Sequence, residues 1–318
     1  MAYPIIKIDP EWVVEQEQLG TKDKYWVRIE NHELLKDNLW LLKFPKEIRE
    51  GEDTGMHWSE KVAYELTRVL KILSPVVELA TLDGRIASLT ENFANAGYKL
   101  YHGNQVLANA GPNYDLEKIY GQNDHKITTI MSSIGKIFRE EQAGEKAKYS
   151  FAQYLIFDAL ICNVDRHHEN WGILRKKQPD ETLKGRLAPS YDHASSMGRE
   201  LVDIDPNNPN KKSRSSLLKA PAGITRYIEA GRGPIFVDGT GRKGPSPMKL
   251  ITRCLDTPEI TNYFQKGLEC IHYLEEPKIH DIINQVPAQH MSEQSKDFAK
   301  SLLCATLEQL DELRKAYP

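Results

Sequence analysis

Cysteine is scarce in this chain. Four are spread over 318 residues, at Cys162, Cys254, Cys270 and Cys304, with no CxxC pair. That spacing excludes a disulfide-stapled scaffold and a cysteine-rich zinc module, and it points to free thiols in a reducing compartment. No apolar run approaches membrane-spanning length, and the start MAYPIIKIDPEW has no basic segment leading into an apolar core, so neither a span nor a Sec leader is expected. The expected location is cytoplasmic, although export of an effector by a non-Sec route leaves no mark of this kind. A surplus of one charge is missing too: 42 Lys+Arg stand against 45 Asp+Glu, for a net charge of -3 and a pI near 6.4. No global field therefore favours nucleic acid or a membrane surface. There is no internal repeat and no low-complexity tract. With 40% hydrophobic and 27% charged residues, the chain can bury a substantial core as one two-lobed domain or two ordinary ones.

The densest chemistry lies in Phe157 to Leu174, FDALICNVDRHHENWGIL. An apolar, helix-compatible run ends in Asn163-Val164-Asp165-Arg166-His167-His168-Glu169-Asn170, and the apolar Trp171-Gly172-Ile173-Leu174 follows at once. Asp165 and Asn170 are five apart, the spacing by which a kinase catalytic loop sets a base beside a metal-binding amide. Twenty-two residues further on, Asp192 offers a second carboxylate in Ser190-Tyr191-Asp192-His193-Ala194, behind Leu187-Ala188-Pro189. Base, amide and second carboxylate, in that order, are what phosphoryl transfer requires: Asn and Asp hold Mg²⁺, and the first Asp accepts the proton of the attacking hydroxyl. A polar loop after a buried helix can also be only a turn, since Asp and Asn favour turns for local reasons. The neighbouring His167 and His168 point in different directions and have no Cys or His at ligand spacing, which argues against zinc.

Upstream, Glu11–Glu15, Lys24–Ile29 and Leu39–Pro45 read as strands. Between the first two, Gln18 to Lys24 holds Gly20, Thr21, Lys22 and Lys24, a turn able to offer N–H groups and positive charge to phosphates. Lys43 is a lone cation in the run WLLKF, where a charge is costly without a partner. Trp58–Leu70 has helical periodicity and supplies Glu60 and Glu65 as possible partners, Glu60 being preferred. Pro75–Thr81 and Arg85–Thr90 read as a hairpin around Asp83-Gly84. Polar, aperiodic Glu91 to Gly97 follows, where a kinase would have its hinge. From about residue 98 the pattern turns helical, with helices expected at 125–141, 149–162, 246–256, 258–274 and 291–317. Residues 199–253 hold six Gly and six Pro and carry eleven Lys/Arg against five Asp/Glu. They are expected as one long basic loop in the position of an activation segment, with a hint of an acidic or phosphate-bearing substrate.

Gly20, Lys43, Glu60, Asp165-Arg166-His167-His168-Glu169-Asn170 and Asp192 together resemble the HipA-like serine/threonine kinases, the specific part being the DRHxxNWG loop followed by apolar-Pro-x-Tyr-Asp. The resemblance runs in order through residues 17–198. It implies an α+β, two-lobed protein-kinase-like fold, with a strand-rich N-lobe over 1–94 and a helical C-lobe over 95–318. It implies ATP and Mg²⁺ as cofactors, Asp165 as catalytic base, Asn170 and Asp192 as metal ligands and Lys43 as the nucleotide-phosphate lysine. The phosphate loop would be Gln18 to Lys24, adenine would meet Glu91 and Phe93, and His167 would line the nucleotide site. The implied acceptor is a Ser or Thr hydroxyl of a protein substrate. This chain resembles the shorter members without an extra N-terminal subdomain, and Glu15 to Lys24 contains no serine, which sets aside silencing by phosphorylation of a phosphate-loop serine. Nothing resembles a helix-turn-helix module, so an antitoxin would be a separate protein. Phosphoinositide kinases share DRHxxN, which keeps a lipid or small-molecule kinase open, as well as a nucleotide-binding pseudokinase.

Overall fold

Alternation along 38–44 sets the architecture. Trp40, Leu42 and Phe44 are buried on one side, and Lys43 falls on the other, as a strand's period of two requires. In the computed structural model, which describes residues 1–17, 23–30, 32–36, 38–49, 52–109, 114–204 and 212–318, the elements in chain order are β1 (Ile5–Lys7), β2 (Val13–Gln16), β3 (Lys24–Ile29), β4 (Asn38–Lys43), β5 (Glu47–Arg49), β6 (Glu52–Asp53), α1 (Met56–Leu70), β7 (Val77–Leu82), β8 (Arg85–Glu91), β9 (Lys99–His102), α2 (Gly103–Ala108), α3 (Ile127–Lys136), α4 (Glu141–Leu160), β10 (Gly172–Lys177) and β11 (Leu183–Leu187). Then come α5 (Arg214–Lys219), α6 (Gly223–Ala230), α7 (Pro247–Leu255), α8 (Thr261–Leu268), α9 (Glu276–Asn284) and α10 (Glu293–Ala316).

The first sheet has the order β1-β7-β8-β4-β3-β2, antiparallel except for the parallel β1–β7 pair. Its register aligns Ile5, Leu79, Ser88, Lys43 and Lys24 in one cross-strand row, and directly opposed residues share a face. The other face closes over its own core of Ile6, Val27, Trp40, Leu42, Ala80 and Leu89. Leu79 and the α1 residues Val62 and Leu66 belong instead to a second core, continuous with Phe151, Phe157, Trp171, Phe264 and Phe298 of the helical part. Helix α1 therefore bridges sheet and helices.

Two expectations are corrected. Residues 199–253 are not one irregular loop: α5, α6 and the start of α7 lie within them. Gly223 and Gly231 stand at the two ends of α6 and Pro247 opens α7, while serines cap α5 and α7, Ser213 Oγ accepting the Ser216 N–H at 3.2 Å and Ser246 Oγ the Lys249 N–H at 3.3 Å. The region after residue 98 is not purely helical either, since β11-β10-β9 form a three-stranded sheet. Gly172 belongs there because a Cβ at that position would come within 2.4 Å of the Tyr101 carbonyl oxygen on β9, so only glycine lets the two backbones approach this closely.

Candidate active site

Helix α4 is apolar near its end except for Asp158, which is buried and answered eight residues later by Arg166. The Asp158 carboxylate accepts Arg166 Nε and Nη2, each at 2.7 Å, and Asn163 Nδ2 at 2.8 Å. The other Arg166 protons go to the Asn170 carbonyl (2.7 Å), the Tyr191 carbonyl (3.0 Å) and Ser190 Oγ (3.1 Å). All five guanidinium N–H groups are thereby used. One buried cation joins α4, the 163–170 loop and the 190–193 segment. Burial alone would lower its pKa, but the Asp158 carboxylate outweighs that and holds it above the ordinary value.

The loop is closed on itself by Asn170 Nδ2, which donates to the Asp165 carbonyl oxygen at 2.7 Å, and by the Asp165 N–H, which donates to Asn163 Oδ1 at 3.1 Å. With its amide nitrogen turned to that carbonyl, Asn170 has Oδ1 left as an oxygen ligand for a cation. The Asp165 carboxylate accepts the Tyr120 hydroxyl at 2.9 Å and the Ser195 hydroxyl at 3.2 Å. Asp192 has φ +56°, a left-handed conformation that Asp tolerates better than most residues and that recurs at functional sites. The charges of Asp165 and Asp192 both act on the His167 imidazole, although burial prevails and lowers its pKa. Partial covering of its hydroxyl end raises the Tyr120 phenol above its usual range, and both carboxylates add to this, although the ring is largely exposed.

At the end of β4, Lys43 Nζ stands 3.6 Å from Glu60 Oε1 and 3.6 Å from Asp192 Oδ1. Burial by itself would lower the lysine's pKa, but Asp192 and Glu60 together raise it above the ordinary value. The second Glu60 oxygen accepts the His193 N–H at 3.1 Å, so Glu60 ties α1 to β4 and to the residue after Asp192. The His193 ring, 4.0 Å from the same oxygen, is held neutral by burial and then by the Arg166 charge, so that contact is not an ion pair. Glu65 turns elsewhere, to Lys61 at 2.8 Å and Arg68 at 2.9 Å.

Of the other residues singled out, Lys24 is directly opposite Lys43 on the same sheet face. Gly20, Thr21 and Lys22 lie outside the described residues. Glu91 ends β8, paired with Trp40. Phe93 stacks on Tyr191 with ring centroids 5.1 Å apart, and the Tyr191 hydroxyl donates to the Glu169 carbonyl at 2.7 Å. His167 accepts the Glu169 N–H on Nδ1 at 3.2 Å and packs edge-on to Tyr120. Sequence reading passed over Asp158, Tyr120 and Ser195. Asp158 had a signal, a lone carboxylate in an apolar helix, whereas Tyr120 and Ser195 reach Asp165 only through the fold.

The side-chain oxygens of Asn170 and Asp192 suit a hard cation such as Mg²⁺. Beyond the geometry, the family model described as the HipA-like C-terminal domain matches residues 18–229, more than half of the chain. The chain belongs to the HipA-like C-terminal domain family. A serine/threonine-protein kinase CtkA of Helicobacter pylori is 25% identical over 276 residues, covering 84% of this chain and 75% of the relative. The crystal structure of a proinflammatory kinase CtkA from Helicobacter pylori superimposes with a TM-score of 0.76 at 20% identity, over 99% of this chain and 98% of that one. HipA from a Shewanella oneidensis toxin–antitoxin complex with HipB and operator DNA gives 0.57 at 15% identity, over 97% of this chain and 68% of that one. The fold of this HipA-like chain is thus α+β and kinase-like, with a strand-rich part and a larger helical part.

Proposed function

We propose that this HipA-like protein is a Mg²⁺- and ATP-dependent serine/threonine protein kinase, with residues 1–94 as N-lobe and 95–318 as C-lobe. The observation that carries the proposal is the double pairing of Lys43, whose side chain is 12% exposed, with Glu60 and Asp192 at 3.6 Å each. A cation so held is oriented, yet these contacts are long enough for its protons to be shared with phosphate oxygens. Bound Mg·ATP supplies the phosphoryl group and the cation that offsets the charge on it. Asn170 Oδ1 and Asp192 offer that cation oxygen ligands. Asp165 takes the proton of the acceptor hydroxyl, a role supported by the two hydroxyls that already donate to it. Gln18 to Lys24 would cover the phosphates, with Gly20, Thr21, Lys22 and Lys24 contributing, while Phe93 and the backbone near Glu91 receive adenine beside His167. The acceptor is a protein Ser or Thr. The HipB present with the Shewanella HipA motivates a separate regulatory partner here. A cytoplasmic place of action agrees with the finding that, among the described residues, no helix is long and apolar enough to cross a membrane.

Thermal shift and transfer of labelled phosphate test the reading together. Asp165→Asn is expected to retain the Mg·ATP shift while losing about 10²–10⁴ in transfer rate. Asp192→Asn is expected to lose the Mg²⁺-dependent shift as well. Transfer by Asp165→Asn at the wild-type rate would overturn the role of Asp165.

A further inference from the structure

At the corner where α9 meets α10, three side chains of different chemistry turn towards one point. Glu276 and His280 are one helical turn apart on α9, with Glu276 Oε1 3.7 Å from His280 Nε2. Cys304 on α10 brings its Sγ to 3.9 Å from the same nitrogen, and all three donor atoms lie within 4.8 Å of one another. A zinc ion bound tetrahedrally, at bond lengths of about 2.0–2.3 Å, needs ligand atoms about 3.3–3.6 Å apart. Two of the three edges are within a few tenths of an ångström of that, and Glu276, which is exposed, is free to rotate and close the third. An i,i+4 ion pair accounts for Glu276 and His280 alone; it does not account for a thiol sulfur facing the imidazole nitrogen. Cys162, Cys254 and Cys270 are all buried in the core, whereas Cys304 is only partly covered, so its thiol can be reached from solvent.

We propose that Glu276, His280 and Cys304 form a binding site for Zn²⁺, with water in the fourth position. A thiolate, a carboxylate and a neutral imidazole balance a divalent ion's charge, and the thiolate–imidazole pair favours zinc over Mg²⁺ or Ca²⁺. Zinc binds the thiolate, so binding displaces one proton from Sγ as the S–Zn bond forms, and affinity rises with pH. The ion links α9 to α10 beside α1, the helix that bears Glu60, because α9 packs against both.

The test uses the full chain, reduced with a phosphine, in excess Mg²⁺ so that hard-oxygen sites are filled. Zn²⁺ is titrated against a chromophoric chelator, and Co²⁺ is used as a spectroscopic substitute. The wild type is expected to take one Zn²⁺ and to show a thiolate-to-cobalt charge-transfer band. Cys304→Ser should lose the band and bind Zn²⁺ about 100-fold more weakly. His280→Ala, a replacement at a half-exposed position, should weaken Zn²⁺ to a similar degree and keeps the test decisive if Cys304→Ser folds poorly. Absence of the band in the wild type at micromolar Co²⁺, or unchanged Zn²⁺ affinity in both variants, would overturn the site. Neither readout depends on kinase activity.

Discussion

At the scale of single residues, the site depends on a buried charge that makes no contact with substrate. Arg166 is stable in the interior because Asp158 meets it on two oxygens and three other acceptors take its remaining protons. Removing one partner of such a pair leaves the other buried and uncompensated, which costs far more than the pair itself contributes. Asp158→Ala is expected to lower unfolding free energy by about 3–5 kcal/mol, read from the urea midpoint. Tyr120 makes the opposite case. Its hydroxyl occupies an oxygen of Asp165 that an acceptor hydroxyl would need, and the side chain is largely exposed. Tyr120→Phe should leave the unfolding free energy, read from the urea midpoint, within about 0.5 kcal/mol of the wild type. In the same variant, labelled-phosphate transfer should rise a few-fold with no change in the ATP dependence.

At the scale of elements, α1 is fixed at several points along its length rather than hinged. The Gly55 N–H donates to the Arg199 carbonyl at 2.8 Å, Ser59 Oγ to the Ser196 carbonyl at 3.1 Å, and buried Lys61 Nζ to Glu78 at 2.7 Å and the Val77 carbonyl at 3.0 Å. Lys61→Met keeps the stem volume but leaves the carboxylates of Glu65 and Glu78 without their shared cation. A loss of about 3 kcal/mol in stability is expected, together with a smaller Mg·ATP thermal shift, because Glu60 is the adjacent residue. Much of this scale was legible in the sequence where burial imposes a period. The strand at Lys24–Ile29 begins and ends as its alternation indicates, and the Asp83-Gly84 hairpin turn has the positive φ values, 49° and 79°, that this pair favours. Periodicity fails where an element is polar or short. The first eight residues of α4, EQAGEKAK, are good helix formers apart from Gly144 but have no apolar stripe, and α9 starts with a proline and charges. Lys43 stands out as a lone charge in an apolar run, and by the same criterion Asp158 should have been noticed. Tyr120 and Ser195 are 45 and 30 residues from Asp165, and no local pattern encodes such a meeting.

Across the whole molecule, the interior is tuned to neutral histidine. His125 is the clearest case: Trp171 Nε1 donates to its Nε2 at 3.1 Å, so its Nδ1 carries the proton shared with the Pro234 carbonyl at 3.0 Å. The ring thus joins the end of the 163–170 loop, at Trp171, to the segment holding Pro234, and a second proton would break the bond to Trp171. Burial pushes His125 down to about 3, with a further push from His168, and pushes His57 down to about 3 with help from His290. His168 lies near 4, again mainly through burial. In the unfolded chain each of these takes a proton near pH 6.5. Below that pH the unfolded state binds protons that the native state refuses, so this stability is full above about 6.5 and is lost as pH falls towards 4 to 3. Each fully buried histidine then removes up to about 1.4 kcal/mol per pH unit, so between pH 7.5 and 5 His57 and His125 together remove about 4 kcal/mol. That is a large fraction of the 5–15 kcal/mol typical of a folded domain. Urea midpoints are therefore expected to fall steeply from pH 7.5 to 5. His125→Phe should be less stable at pH 7.5, because the Trp171 N–H and the Pro234 carbonyl lose their partner, but its slope against pH should be shallower by about one proton. An unchanged slope in that variant would mean that His125 titrates alike in both states, and the acid sensitivity would then have to arise elsewhere.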